Sequence, residues 1–121
     1  MGMFDYVRCE AALPDDRAAG EPDFQTKSLW CSMDQFTITA AGRLIYHKRR
    51  YSTASNTHSL EPIHVADIDM DYHGDLEMHG TTRDDDFVRY VVRFTHGTVE
   101  WIRPFEELPD IHWQWLMERE R

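Results

Sequence analysis

The residues with the most chemistry in them lie between Ile63 and Gly80, in IHVADIDMDYHGDLEMHG. Odd positions carry Asp67, Asp69, Asp71, His73, Asp75, Glu77 and His79; even positions carry Ala66, Ile68, Met70, Tyr72, Leu76 and Met78. Successive side chains of a strand point to opposite faces, so the stretch predicts one apolar face and one ladder of acids and histidines. Two chemistries fit such a ladder. Carboxylates with imidazoles suit Zn or Mn better than Ca, which prefers oxygen alone. Same-face neighbours on a strand stand about 6.6–6.8 Å apart, so one ion needs donors from across a hairpin, and Asp71, His73, Glu77 and His79 are the set a hairpin would gather. An EF-hand is excluded, because Tyr72 stands where its turn needs Gly and Met78 where its closing Glu belongs. The second chemistry is recognition. A row of carboxylates imitates a phosphate backbone in charge and would be drawn to a protein groove built for nucleic acid. Asp67, Asp69, Asp71, Asp75 and Glu77 are the candidates for that contact. The plainest reading beside both is the solvated face of an antiparallel sheet.

Short strands must position these residues. The stretch is too long for one ordinary strand. A three-residue loop at His73-Gly74-Asp75 would pair Tyr72 with Leu76 and Met70 with Met78, keeping both faces pure; a long strand bent by a bulge at Gly74 is the alternative that also keeps parity. Upstream, Phe4 to Cys9 reads as a first strand and Phe24 to Cys31 as a short extended segment. Phe36 to Tyr46 reads as a hairpin around Ala40-Ala41-Gly42, with Ile38 opposite Leu44 and Phe36 opposite Tyr46. Downstream, Phe87 to Ile102 reads as a hairpin around His96-Gly97. Its implied register sets Phe94 opposite Val99, Val92 opposite Trp101 and Arg93 opposite Glu100. Val88, Tyr90, Val92 and Phe94 share its apolar face, with Arg89 and Arg93 on the other. Residues 14–23 and 52–60, rich in turn formers and small polar residues, are expected to be mobile loops. Asp110 to Arg119 reads as a short C-terminal helix, with a last strand as the alternative. The expected fold is mainly β: an antiparallel sandwich or strongly curved sheet of about six to seven strands in one domain, 1–121.

Composition narrows the function classes. A chain of 121 residues makes one domain with room for a core. A net charge of -9 makes nucleic acid a poor partner and a basic protein surface a good one. The basic stretch Arg43, His47, Lys48, Arg49, Arg50, with Tyr46 and Tyr51, could grip phosphate or a single strand. The overall charge opposes that, and Tyr46 is committed to a hairpin. No acid lies between Gln35 and Leu60, while acids crowd Asp67 to Asp86. Folding either joins these blocks or sets them apart. Cys9 and Cys31 form no CxxC pair and are expected as small buried residues rather than nucleophiles. No GxSxG, HExxH, phosphate-binding loop or dinucleotide fingerprint occurs, which favours a protein that is not an enzyme. No apolar run approaches the roughly 20 residues of a membrane span, and the N-terminus has no signal-peptide pattern, so a cytoplasmic setting is expected. Trp113 and Trp115 are candidates for an exposed partner-binding patch, and Trp101 for the core.

The phrases FDYVRCEAALPDD from Phe4, FQTKSL from Phe24 to Leu29 and FTITAAGRLIYHK from Phe36 to Lys48 resemble a group of small bacterial and phage proteins. Those typically carry FDY-x-x-C-x-x-x-LPD, FQTK-x-L and YTIT-x-x-GRL. YHGDLEMHG and the strand before Thr95-His96-Gly97 are similar as well, so the resemblance covers most of the chain. It implies a prokaryotic or phage origin and a stand-alone domain, and it brings no catalytic residues. The expectation is a small acidic module that binds another protein. In its sharpest form this is a phage or mobile-element inhibitor whose acidic face occupies a nucleic-acid-binding surface of a host defence complex, in the host cytoplasm. It needs no cofactor. The alternative is a divalent-metal-dependent enzyme or ligand-binding protein using Asp71, His73, Glu77 and His79. A third possibility is an assembly component that forms homo-oligomers.

Overall fold

The structure, a computed structural model, describes residues 3–18, 20, 21, 23–51 and 62–108. The strands are β1 (Asp5–Cys9), β2 (Asp23–Thr26), β3 (Gln35–Ile38), β4 (Leu44–Tyr51), β5 (Pro62–Asp69), β6 (Gly74–Thr81), β7 (Phe87–Thr95) and β8 (Thr98–Pro104), followed by a 3-10 turn at Phe105–Glu107. They form one eight-stranded sheet in the order β5-β4-β3-β1-β2-β6-β7-β8. β1 and β3 run parallel, and the other pairs are antiparallel. The protein is thus mainly β, as expected; among the described residues it has one open mixed sheet rather than a sandwich, roughly compatible with the curved-sheet alternative, and eight strands where about six to seven were expected. The segment predicted at Phe24 to Cys31 contributes only β2; its remainder is a loop that carries the chain past β1 to β3.

Alternation accounts for the core. Val7 and Cys9 of β1, Phe24 of β2, Phe36 and Ile38 of β3, Leu44 of β4, Leu76 and Met78 of β6, and Val88, Tyr90, Val92 and Phe94 of β7 are buried together. Each large apolar side chain so buried contributes about 1.5–3 kcal/mol, so this face supplies most of the drive to fold. The first hairpin has the expected register, Phe36 opposite Tyr46 and Ile38 opposite Leu44, and Gly42 takes the positive φ (85°) that its turn requires.

The acidic stretch does not fold as a hairpin. β5 pairs with β4, whereas β6 pairs with β2 and β7. Residues 70–73 cross one end of the core, where Met70 and Tyr72 pack and the Tyr72 ring meets Phe94 edge-on at 5.4 Å. The backbone is satisfied on the way. Met70 N–H donates to the Leu44 carbonyl (2.9 Å), and Gly97 N–H donates to the Tyr72 carbonyl (3.0 Å). Val99 N–H donates to the Gly42 carbonyl (2.9 Å), beside an isolated bridge between Arg43 and Thr98. The turns of both hairpins meet here, so the sheet is strongly curled at this end. Gly97, with φ 86°, sits where any Cβ would run into the Asp71 carboxylate and the Arg43 guanidinium. A hairpin would have paired Met70 with Met78. The crossing instead buries Met70 and Tyr72 while keeping Leu76 and Met78 in mid-sheet.

The second hairpin keeps Phe94 opposite Val99 and then slips. Arg93 stands opposite Trp101 and Val92 opposite Ile102, which leaves Glu100 as an extra residue in β8. Glu100 accepts the Thr95 hydroxyl at 2.6 Å, and Arg93 turns to β6 instead. On the face away from the main core, Val91 and Leu108 are buried with Trp101 and Phe105 against them. Trp101 is half-buried in this second cluster rather than in the main core. Cys9 is buried as expected, but Cys31 is a half-buried loop residue with φ 54°. Residues 52–60 and 110–119 lie outside the described residues, as do 19 and 22 in the first predicted loop.

That first loop is tied to the core by the burial of Ala18, by the packing of Leu13 and by a hydrogen bond. The buried Tyr90 hydroxyl donates to Asp15 Oδ1 at 2.7 Å, and Arg17 holds Asp15 Oδ2 at 3.0 Å. Burial, and then the hydrogen bond to Asp15, push the Tyr90 phenol from 10.0 up to about 12. A group whose pKa rises on folding contributes stability that is whole below its unfolded pKa and is lost as pH climbs through the folded one. Unfolding free energy should therefore fall between pH 10.0 and about 12, and Tyr90→Phe should flatten that limb. Urea titrations across the range test this; superimposable wild-type and variant curves would refute it.

Candidate functional site

β4 and β5 bring the basic and acidic blocks together on the sheet's outer face. Arg43 grips Asp69 through two hydrogen bonds, Nε to Oδ2 at 2.8 Å and Nη2 to Oδ1 at 3.0 Å, and reaches Asp71 Oδ1 at 3.5 Å. The guanidinium holds the Asp69 carboxyl below its usual range. Two residues on, His47 and Asp67 are cross-strand partners, with His47 Nδ1 2.7 Å from Asp67 Oδ1. His64 Nε2 lies 2.7 Å from the same oxygen. Hydrogen bonds from both histidines hold the Asp67 carboxyl low.

His64 reaches that face because of a bulge. Lys48 stands opposite Ala66 and Arg49 opposite His64, so Val65 is an extra residue in β5. Strict alternation would send His64 and Asp67, three apart, to opposite faces. The extra residue resets the parity and re-aims His64 toward Asp67. On the other side of His47, Thr37 Oγ1 lies 2.6 Å from Nε2. His47 also borders an outer-face groove of about 500 Å³, which Tyr6, Arg8, Gln35 and Thr37 help to line. Among the described residues, His47, His64 and Asp67 are the group of metal-ligating side chains whose donor atoms converge, all within 4.8 Å of one another.

The remaining members of the ladder lie elsewhere. Asp75 and Glu77, expected on an exposed acidic face, are 1% and 2% exposed. Arg93 clamps Asp75 with Nε to Oδ1 at 2.8 Å and Nη2 to Oδ2 at 3.0 Å, while lying over the Trp101 ring at 4.7 Å. Arg89 Nε donates to Glu77 Oε2 at 2.8 Å from above the Phe105 ring, and His79 Nδ1 approaches the same oxygen at 2.9 Å. Arg89 and Arg93, lying over the Phe105 and Trp101 rings of the second cluster, cover Glu77 and Asp75 on this face, so these carboxylates are interior and neutralised internally. The expected metal set is divided for the same reason. Asp71 and His73 lie in the crossing, where His73 Nδ1 accepts the His96 N–H at 3.0 Å. Glu77 and His79 lie within β6. The four donors do not meet at one centre. Trp113 and Trp115 are outside the described residues.

Three carboxylates of the ladder remain at the surface: Asp67, Asp69 and Asp71, with side chains 56%, 42% and 78% exposed. β5 is also the terminal strand of the sheet and carries Ile63, Val65 and Ile68 at 39%, 48% and 40% exposure. On the adjoining inner face, Trp30 is exposed while its ring packs edge-on against Tyr46, whose cross-strand partner is Ile68.

The fold and this edge define a mainly β protein with an acidic, partly apolar terminal strand. No family model, no curated protein and no solved structure matches the chain. Among the described residues, no helix is long and apolar enough to cross a membrane.

Proposed function

We propose that the protein is a binding module that takes a cationic, extended segment of another protein along β5. One observation carries the reading: among the described residues β5 is a terminal strand, and it combines that edge with exposed apolar residues and with Asp67, Asp69 and Asp71. A terminal strand offers backbone donors and acceptors to an incoming strand, and alternate side chains set the specificity. Around it, Arg43 engages Asp69 and reaches Asp71, Asp67 is held by His47 and His64, and all three carboxylates keep exposed surface that an incoming cation can reach. The net charge of -9 adds a long-range attraction for a basic partner. The row that imitates phosphate shortens from five acids to three, because Asp75 and Glu77 are engaged internally. A nucleic-acid-binding complex of a bacterial or phage-infected host remains the partner class whose cationic surface suits this edge. The setting is a reducing cytoplasm, a choice supported by Cys9 and Cys31 being free thiols.

The test places like charge on the edge. Ile63→Lys/Val65→Lys should fold as the wild type does, because both positions are exposed, and should weaken capture of a partner from host lysate by tenfold or more. Equal capture of the same partner by both proteins would refute docking at β5.

A further inference from the structure

We infer that His47, His64 and Asp67 form a binding site for one divalent first-row transition ion, of the Zn or Ni class. Two imidazoles and one carboxylate are a donor set for such ions, whereas Ca and Mg take oxygen donors. The donor atoms lie within 4.8 Å of one another, and the two histidine nitrogens each stand 2.7 Å from Asp67 Oδ1. An ion bonded tetrahedrally at about 2.0–2.2 Å to each donor sets those donors roughly 3.3–3.6 Å apart, so each histidine nitrogen need draw back from Asp67 Oδ1 by somewhat less than about 1 Å.

The surroundings are organised for ligation. Asp67, a carboxylate, can only accept from the two histidine nitrogens, and a His47 ring that is neutral with its proton on Nδ1 accepts the Thr37 hydroxyl at Nε2. With an ion on Nδ1, His47 carries its proton on Nε2 and donates to Thr37 Oγ1. A hydroxyl serves both tautomers, since it can give or take the hydrogen bond. A partner of this kind fixes the ring and is worth 10- to 100-fold in metal affinity where it has been removed from metal sites. The bulge at Val65 is the second device, because without it His64 would face the opposite side of the sheet. A bulge bends the strand and re-aims a side chain at the point where it interrupts the ladder. Here it also completes a three-donor group, whose exposed side leaves coordination positions for water or a ligand in the neighbouring groove.

The test uses the untagged full chain, stripped with chelator and titrated with Zn and with Co by calorimetry and visible absorption. One ion per chain is expected, with Co giving the visible bands of nitrogen-oxygen ligation. His47→Ala and His64→Ala should each lower affinity at least tenfold, and Thr37→Val about tenfold. His73→Ala, at an exposed histidine outside the group, should leave binding unchanged. Circular dichroism confirms that each variant is folded. Absence of stoichiometric binding, or equal binding by wild type, His47→Ala and His64→Ala, would overturn the assignment, as would an equal loss in His73→Ala.

Discussion

Replacing Arg93 with methionine should destabilise the protein by about 3–5 kcal/mol, because it removes the two hydrogen bonds and the opposite charge that the fork supplies to the buried Asp75 carboxylate. Asp75 is 1% exposed, and both of its oxygens are held by the Arg93 fork, at 2.8 and 3.0 Å. Methionine keeps much of the arginine stem and its packing on Trp101 but supplies no donor. Most of the expected loss is therefore the cost of the lost charge-assisted hydrogen bonds to a buried carboxylate rather than of missing apolar contact. The double variant Arg93→Met/Asp75→Leu separates the two. With both charges gone, a well-packed apolar pair of similar size should recover most of the loss. Chemical denaturation of the four proteins gives the cycle, and the coupling between the positions should be large. A double variant no more stable than Arg93→Met would show that the pair is not the source.

Asp5→Ala should cost about 3 kcal/mol or more, by a different route. Asp5 is fully buried, and its carboxylate accepts four backbone N–H groups. Oδ2 takes those of Trp30 and Cys31, both at 2.8 Å. Oδ1 takes those of Ser32 at 3.1 Å and Asp34 at 2.9 Å. The 30–34 loop contains no glycine, yet Cys31 and Met33 adopt φ of 54° and 63°. The carboxylate holds this turn in shape, and the turn leads the chain into β3, where Tyr6 N–H donates to the Asp34 carbonyl at 2.8 Å. Alanine leaves four donors without their acceptor. Asparagine keeps the size but points an amide NH₂ at two of them, so Asp5→Asn should lose a substantial part of the same stability. Denaturation midpoints indistinguishable from wild type in both variants would contradict this account.

The hairpins could be read from sequence because their determinants are local. Glycine at the turn and matched apolar residues across it fixed Phe36 opposite Tyr46 and Phe94 opposite Val99. The pairing beyond Phe94 could not be read, since nothing local marks Glu100 as an extra residue. The acidic stretch shows a deeper limit. A period of two says which residues share a face, but not which strand lies alongside or what covers the other face. Its even residues satisfy a hairpin and two separate strands equally well. The burial of Asp75 and Glu77 did leave a trace: Arg89 and Arg93, spaced by four on a neighbouring strand, match Glu77 and Asp75 in charge. The direct rung of Asp75 with Arg93 and the diagonal of Glu77 with Arg89 follow only from the pairing of β6 with β7. His64 escaped notice because alternation assigns it away from Asp67, and no residue type announces the bulge at Val65. Asp5 escaped notice because its partners are backbone groups more than twenty residues away.

The central claim is that the ladder divides: Asp67, Asp69 and Asp71 serve recognition at the edge, and Asp75 and Glu77 serve the interior. Partner capture from host lysate through a salt gradient, by wild type and by Asp67→Asn/Asp69→Asn/Asp71→Asn with unfolding followed in parallel, tests it most directly. The account predicts one stoichiometric, basic partner released by rising salt. The edge variant should remain folded and lose that partner. If the folded variant captures the same partner as strongly as wild type, and salt releases both alike, the acidic edge is not the recognition surface.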